Sequence, residues 1–212
     1  MAITSQGAIV LPGDPLFDLH ATPKQYVDLG LSTKEPADPN RLVIGEELYR
    51  RGDISIGAVA SGTQVLRLVY FTARKSFTTT QVRVIGGATA AAATPTLIEN
   101  GLFTIDVAGD GTRVAVTGND TSLYSVANST YTRSWPAYNM VIGQRYALSW
   151  LVVSTVATPT YAGVNLITAT NAEIALSPRL VGHITGQTTT PTSFTAASVG
   201  TFGARPYGVI LP

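Results

Sequence analysis

Cysteine is absent from this chain of 212 residues. That excludes disulfides, thiolate nucleophiles and cysteine-based zinc sites together, and leaves a chain suited to reducing and oxidising surroundings alike. Charge is scarce: Asp, Glu, Lys and Arg make up 13% of the residues, where about twice that share is usual. A surface so poor in Lys and Glu is expected to be partly covered by other subunits, or coated with Thr, Ser and Ala. Long apolar runs are missing, although 45% of the residues are hydrophobic and mean hydropathy is +0.22. None approaches the roughly 18 apolar residues of a membrane span, so no membrane insertion is expected. The opening Met-Ala-Ile-Thr-Ser-Gln carries neither the basic nor the apolar stretch of a secretion signal, and none is expected. A net charge of +1 gives no general pull toward nucleic acid.

What charge there is lies unevenly. Residues 1–53 hold eight acids and five bases, net −3, while residues 54–212 hold five acids and nine bases, net +4. The acidic part is full of backbone breakers: Pro12-Gly13, Asp14-Pro15, Pro23, Gly30, Pro36 and Asp38-Pro39. It reads as an extended arm over residues 1–58, with short helical turns at 23–29 and 44–50. Thr22 supplies an N-cap, Pro23 the first helical position, Gln25 the capping box and Gly30 the stop. Two turns are too few to stand alone in water. Tyr26, Val27 and Leu29 must pack on something, either the chain's own domain or the same segment of sister chains.

Residues 59–212 read as β throughout. Branched and aromatic residues mark strands at 66–73, 81–85, 102–107, 112–117, 123–126, 131–135, 145–154, 163–168, 179–184 and 207–211. Gly109-Asp110-Gly111 gives the turn of a hairpin, and residues 54–62 form a Gly-punctuated link or a first edge strand. Many short strands spaced by Gly, Pro, Asn and Asp predict a mainly β fold, an antiparallel β-sandwich of jelly-roll type. The Thr-rich stretch 185–195 shows no period and is expected to be an exposed loop.

Chemistry is sparse. No Gly-x-Ser-x-Gly elbow, P-loop or His-Glu-x-x-His occurs. The chain is therefore not expected to be an enzyme, and no catalytic residue, metal ligand or cofactor is assigned. Of the two histidines, His20 lies in the arm and His183 at a strand position, where a structural or subunit-contact role is expected. Asp106 with Asp110, and Asn119 with Asp120, bracket turns; they lack the dense oxygen spacing of a calcium loop. Glu46-Glu47 reads as a solvated helix face. Arg51-Gly52-Asp53 is read as a chance match to the adhesion tripeptide, and the sequons at Asn119 and Asn128 matter only in a eukaryotic secretory pathway. Aromatics are the better pointers. Tyr131, Trp135 and Tyr138 cluster around Arg133, and stacked rings beside polar groups are how sugars are held. These four residues are candidate glycan contacts; the alternative is that Trp135 and Tyr138 serve the core or a subunit contact. Trp150, inside Leu148-Ser-Trp-Leu-Val-Val153, is expected in the core.

Residues 14–28, Asp-Pro-Leu-Phe-Asp-Leu-His-Ala-Thr-Pro-Lys-Gln-Tyr-Val-Asp, resemble a unit found near the N-termini and along the shafts of bacteriophage tail fibres. Asp14, Pro15, His20, Ala21, Lys24, Tyr26, Val27 and Asp28 carry the likeness. A second resemblance runs through Tyr70-Phe71-Thr72-Ala73, Thr94-Pro95-Thr96, Asn100-Gly101-Leu102-Phe103, Asn119 to Tyr124, Tyr146-Ala147 and Ala204-Arg205-Pro206-Tyr207. This order is similar to C-terminal β-domains of minor tail proteins from phages of actinobacteria. Together the likenesses imply a structural virion protein, assembled in the host cytoplasm. They imply a homotrimer whose arm, through Asp14, Pro15, His20, Lys24, Tyr26, Val27 and Asp28, anchors to proteins of the tail, baseplate or capsid. The body would then reach toward a host cell-surface glycan. A capsid decoration protein or head fibre is the alternative place on the particle. A free carbohydrate-binding module or a β-sandwich hydrolase is the alternative of another class.

Overall fold

The computed structural model describes residues 45–48, 54–91, 95–155, 158–165 and 178–212. The chain divides into two units, Met1–Leu42 and Val43–Pro212, and the described residues all belong to the second. The expected helix at 23–29 lies outside them, as do the fibre-like segment 14–28 and Arg51-Gly52-Asp53.

The described residues are mainly β. Their strands are β1 (Glu46–Glu47), β2 (Ser55–Ala60), β3 (Val65–Thr72), β4 (Phe77–Ile85), β5 (Leu97–Ile105), β6 (Gly111–Val116) and β7 (Thr130–Met140). They continue with β8 (Arg145–Val153), β9 (Thr160–Asn165), β10 (Val181–Thr185), β11 (Ser193–Phe194), β12 (Ala204–Pro206) and β13 (Gly208–Leu211). Three sheets form, in the orders β1-β13-β4-β7, β10-β3-β8-β5-β6-β11 and β12-β9-β2. Every pairing among them is antiparallel.

The six-stranded sheet is buried on both faces, and β8 shows why its sequence reads as an unbroken apolar run. Successive strand residues point to opposite faces. Tyr146, Leu148, Trp150 and Val152 of β8 enter one core, while Ala147 and Leu151 enter another. A strand covered on one face alone would alternate apolar with polar; a strand covered on both has no face left for polar residues. The first core gathers Val69, Ile98 and Leu102 of the six-stranded sheet with Val82, Val84, Met140 and Ile210 of the four-stranded sheet, and Val59 and Tyr161 of the third. Each fully buried Leu, Ile or Val contributes about 1.5–3 kcal/mol.

The second core lies on the other face of the six-stranded sheet: Leu66, Leu68, Tyr70, Phe103, Ile105 and Leu151, closed over by Ile184, Phe194 and Val199. Here the expected exposed loop at 185–195 is corrected in part: most of its residues are exposed, but it also covers the core. Phe194 is buried against Phe103, ring centroids 5.1 Å apart, and Thr190 is buried as well. Polar anchors hold the stretch down: the Thr190 amide donates to the Glu99 carboxylate at 2.9 Å, the Arg113 amide donates to the Thr192 carbonyl at 2.9 Å, and the Arg113 guanidinium donates to the Thr190 carbonyl. A lone Phe among threonines gives no period, so the sequence hides this cover.

Two further expectations are corrected. Residues 44–50 do not make a helical turn at their described part; Glu46 and Glu47 pair with Ile210 and Val209 as strand β1. Residues 123–126 are turn, not strand. The Asp120 carboxylate accepts from the Ser122 amide at 2.9 Å and the Ser122 hydroxyl at 2.5 Å, the local closure that favours a turn. Tyr124 then takes φ +63, and it and Leu123 plug the first core. The hairpin at 109–111 stands as read: β5 and β6 pair, Gly109 takes φ +89, and Asp106 Oδ1 accepts from the Ala108 and Asp110 amides, both at 2.9 Å. The boundary expected at residues 58/59 falls inside β2.

Candidate functional site

Strand β7 carries all four candidate glycan contacts. A register shift between Thr79 and Gln81 in the pairing of β4 with β7 interrupts the alternation of both strands, as a bulge does. On β7 it lies between Ser134 and Tyr138. Tyr131 before it, Trp135 within it, and Tyr138 and Met140 at and after its end consequently all pack on the first core. Trp135 is 6% exposed, and its indole N–H donates to Thr79 Oγ1 at 3.1 Å. Trp135 is thus a core residue and offers no ring face to a sugar. Tyr131 is half-buried, with its hydroxyl donating to the Val126 carbonyl at 2.8 Å and accepting from the Val126 amide at 2.9 Å. Arg133 is ion-paired with Asp120 and donates to the Thr132 carbonyl at 2.9 Å. Tyr138 packs edge-on against Tyr146, centroids 6.2 Å apart, and burial beside that second phenol pushes its hydroxyl up to about 12. Seven residues along a strand span about 23 Å, so Tyr131 and Tyr138 do not share one platform. The anchoring residues Asp14, Pro15, His20, Lys24, Tyr26, Val27 and Asp28 lie outside the described residues.

The turn residues are occupied locally. Asp110 Oδ1 accepts from the Ala196 amide at 2.8 Å, so both acids of the 106–110 turn staple backbone. The Asn119 side-chain amide donates to the Thr96 carbonyl at 2.9 Å, and its oxygen accepts from the Ile98 amide at 3.0 Å. His183 lies edge-on to Phe202, and Arg67 stacks over the same ring, its guanidinium carbon 3.7 Å from the Phe202 centroid. Burial first, then the Arg67 charge, lower the pKa of His183, so the imidazole is neutral at pH 7. Among the described residues no group of three or more His, Asp or Glu is placed to hold a metal ion, and no helix is long and apolar enough to cross a membrane.

A concentration of charge lies elsewhere, in a cleft of about 410 Å³ beside the end of β3. β10 pairs with β3 only over Val65 to Val69, so β3 runs on past its neighbour through Tyr70, Phe71 and Thr72. Arg74, Arg145, Arg179 and Arg205 line this opening with Glu46 and Glu47. Glu46, read from sequence as solvated, is 2% exposed: its carboxylate accepts from Arg74 Nε at 2.7 Å and from the Arg74 amide at 3.2 Å. Glu47 accepts from the Tyr207 hydroxyl. Arg145 Nη2 donates to the Arg179 carbonyl at 2.5 Å, and Arg179 Nη1 donates to the Val199 carbonyl at 2.8 Å. Neither Arg145 nor Arg179 has a carboxylate partner among the described residues. Sequence reasoning gave none of these arginines a binding role, Arg205 entering only in a segment of resemblance; the available signal was the excess of bases over acids after residue 53.

Comparison with models of known protein families finds no match, and no curated protein matches the chain.

Proposed function

We propose that this chain is a structural component of a bacteriophage virion, tail-associated as a minor tail protein or short tail fibre. In this reading a β-sandwich body of jelly-roll type stands behind an extended arm with a short helix, and three copies assemble as a homotrimer. The observation that carries the reading is the succession along the chain: a fibre-like segment at residues 14–28, then a charge-poor, mainly β, antiparallel unit. The two-sided burial of the six-stranded sheet supports it, because a doubly covered sheet is a stiff part that resists opening. Contact with the host envelope would work through multivalency, with three weak sites on one assembly raising the effective concentration of each. Since Trp135 is in the core, host contact would draw on other surfaces of the body.

The test is native mass. The full chain should be trimeric, and a chain beginning at Val43, the first residue of the second unit, should lose that assembly or weaken it. Starting instead at residue 59 would remove β1 and most of β2 and confuse unfolding with dissociation. A full chain that stays monomeric at high concentration would overturn the homotrimer and favour a free binding module.

A further inference from the structure

Tyr70 is 4% exposed, and its hydroxyl makes no hydrogen bond. Buried hydroxyls almost always have partners, because losing water without replacement costs stability. Tyr70 also lines the arginine cleft, with the Arg145 guanidinium carbon 5.2 Å from its ring centroid and the charges of Arg179 and Arg145 acting on its phenol. Burial outweighs those two cations and pushes the phenol up to about 12. The hydroxyl therefore keeps its proton at pH 7 and is a donor in need of an acceptor.

The two cations beside it are in a matching condition. Arg145 donates to the backbone carbonyl of Arg179, which ties its guanidinium to that segment. Both charges act on the Tyr70 phenol and both side chains line the cleft, and like charges in one cleft are favoured by an anion among them. Each has five N–H donors, and the hydrogen bonds described above occupy one on each. The acids at the rim do not meet this need, since Glu46 is taken by Arg74 and Glu47 by Tyr207. Guanidinium forks match the oxygens of phosphates and carboxylates. The cleft, at about 410 Å³, falls in the range of small-molecule sites and has room for more than a bare inorganic ion.

We propose that this cleft binds an oxyanion carried on a small organic group, with Tyr70, Arg145 and Arg179 as its donors. The proposal stands apart from the virion reading, because a donor set of this kind serves a free protein as well as an assembled one.

The experiment titrates the full chain with sodium phosphate and, separately, with sodium acetate, against sodium chloride at equal ionic strength, reading the side-chain Nε–H resonances of Arg145 and Arg179. Saturable shifts are expected with at least one of the two anions. Tighter phosphate binding assigns a phosphate ester, and tighter acetate binding a carboxylate. Tyr70→Phe removes one hydroxyl and nothing else; it should weaken binding about tenfold while melting at the same temperature as the parent or higher, since an unpartnered buried polar group is gone. Arg179→Gln should weaken binding by more than about tenfold, as a charge-assisted contact is lost. Shifts no larger than those with chloride would overturn the proposal, as would a Tyr70→Phe protein that binds as tightly as the parent.

Discussion

Removing the Phe194 ring should show how far the two cores share one stability. β11 is a two-residue strand that pairs with β6 through Ser193↔Thr112 and Phe194↔Gly111. The ring is 7% exposed and sits directly over Gly111, where an added Cβ would come within 2.3 Å of it. A buried Phe removes about 150–250 Å² from water, and Phe→Ala in a core costs about 3–5 kcal/mol. Because this site is at a sheet edge, where the hole can partly collapse or fill with water, Phe194→Ala is expected near the lower figure, about 3 kcal/mol. For a unit of this size that lowers Tm by about 6–12 °C. Gly111→Ala should cost about 1–3 kcal/mol in the parent, since the ring must shift. In the Phe194→Ala background it should cost almost nothing, because the obstacle is gone. The assay is urea unfolding followed by tryptophan fluorescence, a readout confined to the first core because Trp135 and Trp150 both lie there. A cost for Phe194→Ala below about 1 kcal/mol, far under the usual core value, would refute the shared stability. So would a Gly111→Ala cost that is equal in the two backgrounds, since residues in direct contact should couple.

Two more outcomes follow from the β7 region. Burial alone would raise the Asp120 carboxyl, but hydrogen bonds from Ser122 and Arg133, with the Arg133 charge, hold it below the ordinary value of 3.8. A depressed carboxyl contributes stability above its unfolded pKa and loses it as pH falls through the folded one. Asp120→Asn should therefore be less stable than the parent at pH 7, by under about 1 kcal/mol because both partners are partly exposed; the gap should close as the pH falls below 3.8 in paired urea melts. Trp135→Phe loses the indole bond to Thr79 and should cost about 1 kcal/mol by thermal denaturation. An unchanged Tm would place that ring outside the core.

Strand existence was legible where local chemistry and final environment agree. β3, β8 and the β5–β6 hairpin are rich in branched residues or carry Asp-Gly turn chemistry, so period and turn signals point to the same answer. The exceptions share a cause. Leu123 and Tyr124 look like strand because they are apolar, yet they fill the core from a turn that Asp120 closes. Glu46 looks solvated because it is charged, yet Arg74, 28 positions later in the chain, brings a counter-ion into the sheet. Trp135 and Tyr138 look like a platform because they are neighbours, yet a register shift against β4 turns them onto the core.

The sequence by itself determined composition, the scarcity of charge, the lack of cysteine chemistry, the mainly β character and most strand positions, because these depend on residues within a few places of one another. Only the tertiary structure decided that the six-stranded sheet has two covered faces, that Phe194 closes the second, and that Tyr70, Arg145 and Arg179 meet in one cleft. Those three residues come from β3, β8 and the entry to β10, separated by more than thirty positions at each step. Strand pairing is set by burial summed over whole sheets, and no local window contains that sum.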